Sequence, residues 1–280
     1  MPDKLERVKP IQGRNPWAKP TLITLVISYI TFLILVPIVG ILKGAFAEGV
    51  GGFLRVLCNR DVLYAFALTF LLSAVAVILN TVFGIAIAWI LVRQDFPGKR
   101  FVNAIVDLPF AVSPVVAGYM LILLFGRTGW FHWFTELTGI KIIFSLPGML
   151  LATTFVSLPF VIREVMPVLQ EIGPEQEQAA HTLGAGDWQA FWRVTFPGIR
   201  WGLFYGITLT FARAMGEFGA LLVVSGAVNG ELETATLFVF RAMDERMYSA
   251  AYTVSIVLAS VSFFVVIAME TLKKRLREET

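Results

Sequence analysis

The sequence predicts an all-α, polytopic membrane protein with six transmembrane helices, and three observations carry that expectation. The 280-residue chain is 57% hydrophobic and only 15% charged, where soluble domains run at about 25% charged. Its apolar residues gather in six blocks, the longer of which suffice to cross a hydrocarbon core of about 30 Å, a distance that takes about 20 helical residues. Its lysines and arginines fall unevenly on the two sides that six crossings define.

Residues 1–20 carry Lys4, Arg7, Lys9, Arg14 and Lys19 among four prolines and read as a basic cytoplasmic tail. The first apolar block, Thr21 to Leu42, is uncharged. A signal peptide is its rival reading, because Ala45-Phe46-Ala47 imitates a cleavage site. The block exceeds the roughly 7 to 15 residues of a signal core, which favours a retained helix. Leu63 to Val92 forms the second block, followed by a short basic turn, Arg93 to Arg100. Phe101 to Phe125 forms the third, broken by Pro109 and Pro114. The fourth, Leu146 to Ile162, has Pro147 and Pro159 near its ends. A polar segment, residues 163–200, separates it from the fifth, Trp201 to Ser225. Tyr252 to Leu272 is the sixth, and residues 273–280 close the chain with Lys273, Lys274, Arg275 and Arg277. No repeat or long linker interrupts residues 21–272, which read as one membrane domain. Gly202 and Gly206 are spaced for close helix approach, as Gly84 and Gly118 are singly, and ordinary helix packing is the leading reading of all four.

Six crossings put both termini, the 93–100 turn and the 163–200 segment on one side. That side holds fifteen of the 23 Lys and Arg residues; seven lie opposite, and Arg213 falls inside a block. Basic residues collect on cytoplasmic loops, so the richer side is the cytoplasmic one. The net charge of +3 is thereby accounted for without a nucleic-acid partner.

Enzymatic chemistry finds no purchase. Gly98-Lys99-Arg100 fails the phosphate-binding loop, with Arg93 where its first glycine belongs. No Gly-x-Ser-x-Gly, His-Glu-x-x-His or Cys-x-x-Cys occurs. Cys58 is the only cysteine, and His132 and His181 lack metal-ligand spacing. No catalytic residue, metal site or cofactor is expected.

The polar segment is the most informative stretch. Pro174, Glu175 and Glu177 suit a first helical turn, and Gly184 suits a left-handed stop after Leu183, giving a helix of about three turns. Asp187 offers a cap for a second start, with Trp188, Phe191 and Trp192 at helical spacing until Pro197 ends or kinks it. The plain reading is an amphipathic, interfacial helix-turn-helix. Within the fifth block, Arg213 and Glu217 stand four apart, and each costs about 2.5 to 3.5 kcal/mol at a helix centre unless satisfied. Counted from Trp201, they lie about 18 and 24 Å into the membrane. A structural ion pair and a functional charge in a transport path are both open. Asp107 is a third intramembrane candidate, or else an interfacial helix-start carboxylate.

The spacing of Gln178-Ala179-Ala180, Gly184, Val194 and Pro197 resembles the loop motif of ABC-importer permeases, with Gln178 where that motif usually has Glu. The stretches Asp107-Leu108-Pro109 through Ser113-Pro114 to Gly118, Ile142 to Gly148, Arg213 to Ala220 and Val223 to Gly226 resemble, more narrowly, sulfate/thiosulfate permease subunits of the W type. Gly-Glu-Phe-Gly is shared with molybdate and tungstate permeases, the alternative substrate class. The resemblance covers most of the chain. It implies a type I ABC-importer permease in a cell inner membrane, and ATP hydrolysis on a separate chain. It implies a paralogous T-type permease subunit, two ATP-binding subunits, and a periplasmic or lipid-anchored sulfate-binding protein as partners. It further implies that Glu177, Gln178, Ala179, Ala180, Leu183, Gly184 and Pro197 belong to an ATPase-coupling loop, and that Asp107, Ser113, Arg213 and Glu217 lie along the translocation path.

Overall fold

A computed structural model describes residues 18–226 and 231–278, and among them every regular element is helical. The expectations for residues 1–17 and 279–280 lie outside the described residues. In chain order the helices are α1 (Ala18–Ala45), α2 (Gly49–Leu57), α3 (Arg60–Arg93), α4 (Lys99–Ala111), α5 (Pro114–Phe125) and α6 (His132–Thr138). They continue with α7 (Leu146–Ile172), α8 (Glu175–Thr182), α9 (Asp187–Ala190), a π-helical turn (Phe191–Thr195), α10 (Phe196–Met215), α11 (Gly219–Val224), α12 (Ala235–Asp244) and α13 (Tyr248–Glu278).

Four of these, α1, α3, α7 and α13, are each long and apolar enough to cross a membrane unaided. The third predicted block is a broken span: α4 and α5 meet at 117°. The break falls at Pro114, whereas Pro109 rides inside α4. Ser113 takes the extended conformation, φ −59 and ψ 138, that a residue before proline prefers. The fourth block extends ten residues past its predicted end, to Ile172, carrying Pro159 and Pro167 inside the helix. The fifth block is divided as well. Its first part, α10, has 20 residues, about 30 Å of rise, and carries Arg200 and Arg213. It stops at Met215, and α11 begins only at Gly219.

The centre of the bundle is α7, which packs against α3, α10, α4, α5 and α11. Three apolar clusters follow from its position. One joins α3, α5, α7 and α11 around Leu72, Met149, Val156 and Leu221. A second joins α3, α7 and α10 around Ile85, Val161, Val165 and Leu203. The third joins α3, α12 and α13 around Val62, Phe238 and Val254, away from α7. By contrast, α1 lies along α13 with Gly44 against the Tyr252 ring, and its residues from 20 to 40 are exposed. Only hydrocarbon or another chain can cover that surface.

Small residues set the tightest crossings, as the sequence suggested. A Cβ on Gly206 would stand 3.0 Å from the Val161 Cα and 3.4 Å from the Glu164 Cβ, and one on Gly118 would stand 2.9 Å from the Ala220 carbonyl oxygen. We expect Gly206→Leu to destabilise the α7–α10 seam by about 1 to 3 kcal/mol, the usual cost of overpacking. Thermal unfolding in detergent, followed by size-exclusion recovery, should show a lowered midpoint; an unchanged midpoint would mean that the two helices are not held in contact.

Candidate functional site

The polar segment between α7 and α10 folds as two short helices around a glycine turn. Helix α8 has eight residues, about two turns where three were expected, because the chain first reverses at Gly173, whose φ is +69. It stops where predicted: Gly184 has φ +87, the Ala185 N–H donates to the Ala180 carbonyl and the Gly184 N–H to the His181 carbonyl. These two bonds satisfy the end carbonyls of a helix closed by a left-handed glycine. Asp187 is not a cap. Gly186 occupies that position, and Asp187 is the first residue of α9, fully exposed, with a carboxylate oxygen 3.9 Å from the His181 imidazole.

Pro197 does not end the second helix. The chain stays helical from Asp187 to Met215, and the turn before the proline widens so that the Phe196 N–H donates to the Phe191 carbonyl, five residues back. Proline removes a donor and crowds the carbonyl four residues earlier; a π-helical turn absorbs such a fault without breaking the helix.

One ion pair holds this segment to the bundle. Arg93, the last residue of α3, reaches Glu177 on α8 with two parallel bonds, Nε to Oε2 at 3.0 Å and Nη2 to Oε1 at 3.1 Å. The same guanidinium donates to the Leu169 carbonyl at 3.0 Å and the Gly173 carbonyl at 2.7 Å, while the Thr195 hydroxyl donates to Glu177 Oε1 at 2.9 Å. Both side chains are nearly buried. The outer surface of the segment is different in kind. Gln178 and Ala179 are exposed, Ala180 is half-buried, and Leu183 and Trp188 are 89% and 73% exposed. An apolar knob on an exposed turn is a surface suited to a protein partner. Nearby, Lys99 donates to Asp95 at 2.8 Å across the α3–α4 turn and holds that carboxyl below its ordinary pKa.

The polar residues predicted inside the membrane divide between two places. Asp107 on α4 forms a bidentate pair with Arg163 on α7, at 2.7 and 2.6 Å, and Arg163 also donates to the Asn103 carbonyl. Ser113 is exposed at the α4–α5 break, with its side chain making no capping bond. Arg213 and Glu217 do pair, Nη1 to Oε2 at 2.6 Å, but not on one helix face, because α10 has already ended between them. Glu217 is 2% exposed and its other oxygen accepts the Ala220 N–H at 3.0 Å, so it caps the first turn of α11. Its carbonyl accepts the Thr236 hydroxyl. Both breaks meet where α5 packs on α11.

Sequence reasoning missed two arginines. Arg93 and Arg163 passed as loop charges, yet each supplies the cation that a buried or membrane-embedded carboxylate requires. The usable signal was the carboxylate: Asp107 in an apolar block demands a partner, and Glu177 stands two residues before the small-residue pair.

A helical bundle with two broken spans and a glycine-hinged polar segment between spans is the architecture of a polytopic membrane protein. Residues 80–278 match the family described as binding-protein-dependent transport system inner membrane component, and the chain belongs to that family. It is therefore a multi-pass inner-membrane protein. It is 48% identical to the sulfate transport system permease protein CysW of Synechocystis sp. over 92% of this chain and 93% of that one. It is 37% identical to the CysT permease protein of the same organism over 91% of this chain and 88% of that one. The fold is that of a solved bacterial ABC transporter involved in import of the acidic polysaccharide alginate, with a TM-score of 0.78 at 18% identity over 92% of this chain and 96% of that one.

Removing one partner of a buried pair leaves an uncompensated charge and costs about 3 to 5 kcal/mol. We expect Glu177→Ala to loosen the 173–195 segment, seen as faster proteolysis at Leu183 with the rest of the bundle intact, and Arg93→Met combined with Glu177→Leu to restore much of the protection. Equal cleavage rates in wild type and both variants would show that the pair does not hold the segment.

Proposed function

We propose that this chain is one membrane half of an ATP-driven importer of sulfate and thiosulfate. The observation that carries the reading is its 48% identity to a sulfate permease subunit across nine-tenths of its length, against 37% to the T-type subunit of the same organism. The other half of the pathway is a T-type permease. Two ATP-binding subunits lie on the cytoplasmic side, and an extracytoplasmic binding protein delivers the anion. Both termini are cytoplasmic, in keeping with the distribution of basic residues.

Within that assembly, residues 163–200 form the coupling element. Leu183 enters the ATPase surface, with Ala179 and Ala180 permitting close approach and Gly184 setting the angle between α8 and α9. A push on this knob reaches α3 through Arg93, α7 through the carbonyls of Leu169 and Gly173, and α10 through Thr195. At the far ends of α7 and α10 stand the two breaks, where Ser113, Arg213 and Glu217 face the path, and Asp107 with Arg163 ties α4 to α7. Backbone outside a helix is tolerated at membrane depth only where protein or a cavity satisfies it, which favours a path at the breaks. Binding energy must also stay small enough for release. A dianion beside a lone arginine would be held tightly, and Glu217 tempers that potential.

Uptake of labelled sulfate by cells with and without the gene tests the substrate, with unlabelled thiosulfate, molybdate and tungstate as competitors. We expect thiosulfate to compete and molybdate and tungstate to compete poorly; the reverse order would transfer the protein to the molybdate class. Gly184→Val places a β-branched residue at positive φ. It should leave insertion intact and abolish uptake and ATPase pull-down together.

A second set of variants separates the two readings of the intramembrane pair. If Arg213 acts on the anion, Arg213→Gln and the double change with Glu217→Gln are equally inactive while still bound to the ATPase. If the pair is structural, each single change is worse than the double. Uptake near wild type in all three would remove α10 from the path.

A further inference from the structure

A groove of about 450 Å³ runs between the outer face of α3 and the aromatic ladder of the second short helix. Val82, Ile85, Ala86 and Trp89 line one side; Trp188, Phe191, Trp192 and Phe196 line the other. The aromatic rings brace one another, Trp188 against Trp192 at 5.6 Å and Trp192 against Phe196 at 4.8 Å. Asp187 is the one charged residue among its walls. A second cavity of about 280 Å³ adjoins it, sharing Trp89, Asp187 and Phe191, and its remaining walls are mostly polar: Gln94, Glu177, His181 and Thr195 with Ala190. An apolar trough thus opens directly into a polar chamber.

We propose that this composite site holds one phospholipid with an amine-bearing headgroup, its acyl chain in the trough and its ammonium at the chamber's rim beside Asp187. Three features favour lipid over protein. The trough is continuous with the membrane surface of α3, where Ile78, Val82 and Phe83 are 62, 61 and 57% exposed, so hydrocarbon already bathes its mouth. It stands at the end of a membrane-spanning helix, the depth at which tryptophan rings favour the headgroup boundary. The chamber's charges select the head. Glu177 is already neutralised by Arg93, whereas among the described residues Asp187 meets only the His181 imidazole, at 3.9 Å. The solvent-facing rim of the chamber therefore presents one exposed carboxylate to an ammonium and disfavours a purely anionic head.

The consequence is that the segment bearing Leu183 and Trp188 is seated on the bilayer as well as on the bundle. Lipid composition then modulates how firmly it is presented. The proposal requires only that α3 spans the membrane, and it holds whatever anion the permease carries.

The assembled transporter, purified from membranes and from nanodiscs containing phosphatidylethanolamine or phosphatidylglycerol alone, provides the test, with bound lipid counted by native mass spectrometry. We expect one retained phosphatidylethanolamine in wild type. Ala86→Trp, which fills the trough from an exposed position, should remove it while the ATPase subunits stay bound. Asp187→Asn should lower the preference for phosphatidylethanolamine over phosphatidylglycerol by about fivefold, the effect of one charge at a lipid surface. An unchanged lipid count in Ala86→Trp would overturn the proposal. So would loss of the ATPase with the lipid still bound, which would make the trough a protein-docking surface; retained lipid preference in Asp187→Asn would overturn the headgroup assignment.

Discussion

The guanidinium of Arg93 is the fastening on which the cytoplasmic-side architecture depends. Its parallel bonds to Glu177 fix α8, and its bonds to the carbonyls of Leu169 and Gly173 fix the end of α7, just where that helix has run out of intrahelical donors. Planar, permanently charged and carrying five donors, an arginine serves three elements at once in a way that a lysine could not. Without it the last turn of α7 would leave carbonyls unsatisfied, and the 173–195 segment would hang from two glycine-containing turns. With it, α3, α7, α8 and the π-helical turn behave as one body. A rigid lever of this kind is what the proposed coupling role demands, since a flexible loop would absorb displacement instead of passing it on.

The opposite constraint governs the middle of the bundle. Hydrocarbon offers no hydrogen bonds, so each interrupted helix must find internal partners for the groups its break exposes. The α10–α11 interruption is met by Glu217, which caps α11 with one oxygen, approaches Arg213 with the other and fixes Thr236 through its carbonyl. The α4–α5 interruption needs less, because Pro114 supplies no donor and the Val112 N–H still reaches Leu108. Packing α5 on α11 through Gly118 brings the two interruptions together. Two faults that would each be costly alone are thus placed where each shields the other.

Those physical differences explain what was legible in the sequence. Uncharged runs such as Leu63 to Val92 announce themselves by length, and the Gly184 stop follows from glycine's access to positive φ. Helix continuity was harder. Pro159 and Pro167 look like breaks yet sit inside α7, where its packing partners hold the helix together, whereas Gly216 looks harmless and marks a true end. Pro197 was read as ending or kinking its helix because a helix that widens by one residue leaves no compositional trace. The ion pairs were the least legible: Arg93 and Glu177 are 84 residues apart, and Asp107 and Arg163 are 56 apart. A carboxylate in an apolar run shows that a cation is needed but not which one answers.

Placement of these pairs along α7 carries the last step. The Asp107 pair sits near the middle of that helix, at Arg163, and the Arg93 bonds sit at its end, at Leu169. Around them α7 is buried against α3 and α10 by Val161, Ile162 and Val165, with glycines of α3 and α10 in close contact. Close-packed interiors are bistable and resist gradual deformation. A displacement applied at α8 therefore has two physical outlets: rotation of α3, α7 and α10 as a unit, or slippage at the polar contacts that join this unit to α4. The Asp107–Arg163 pair is partly exposed, so its net contribution is small and water can replace either partner at modest cost. The polar part of the seam between α4 and the α3–α7–α10 body is accordingly free to slip, and it leads directly to the break at Pro114.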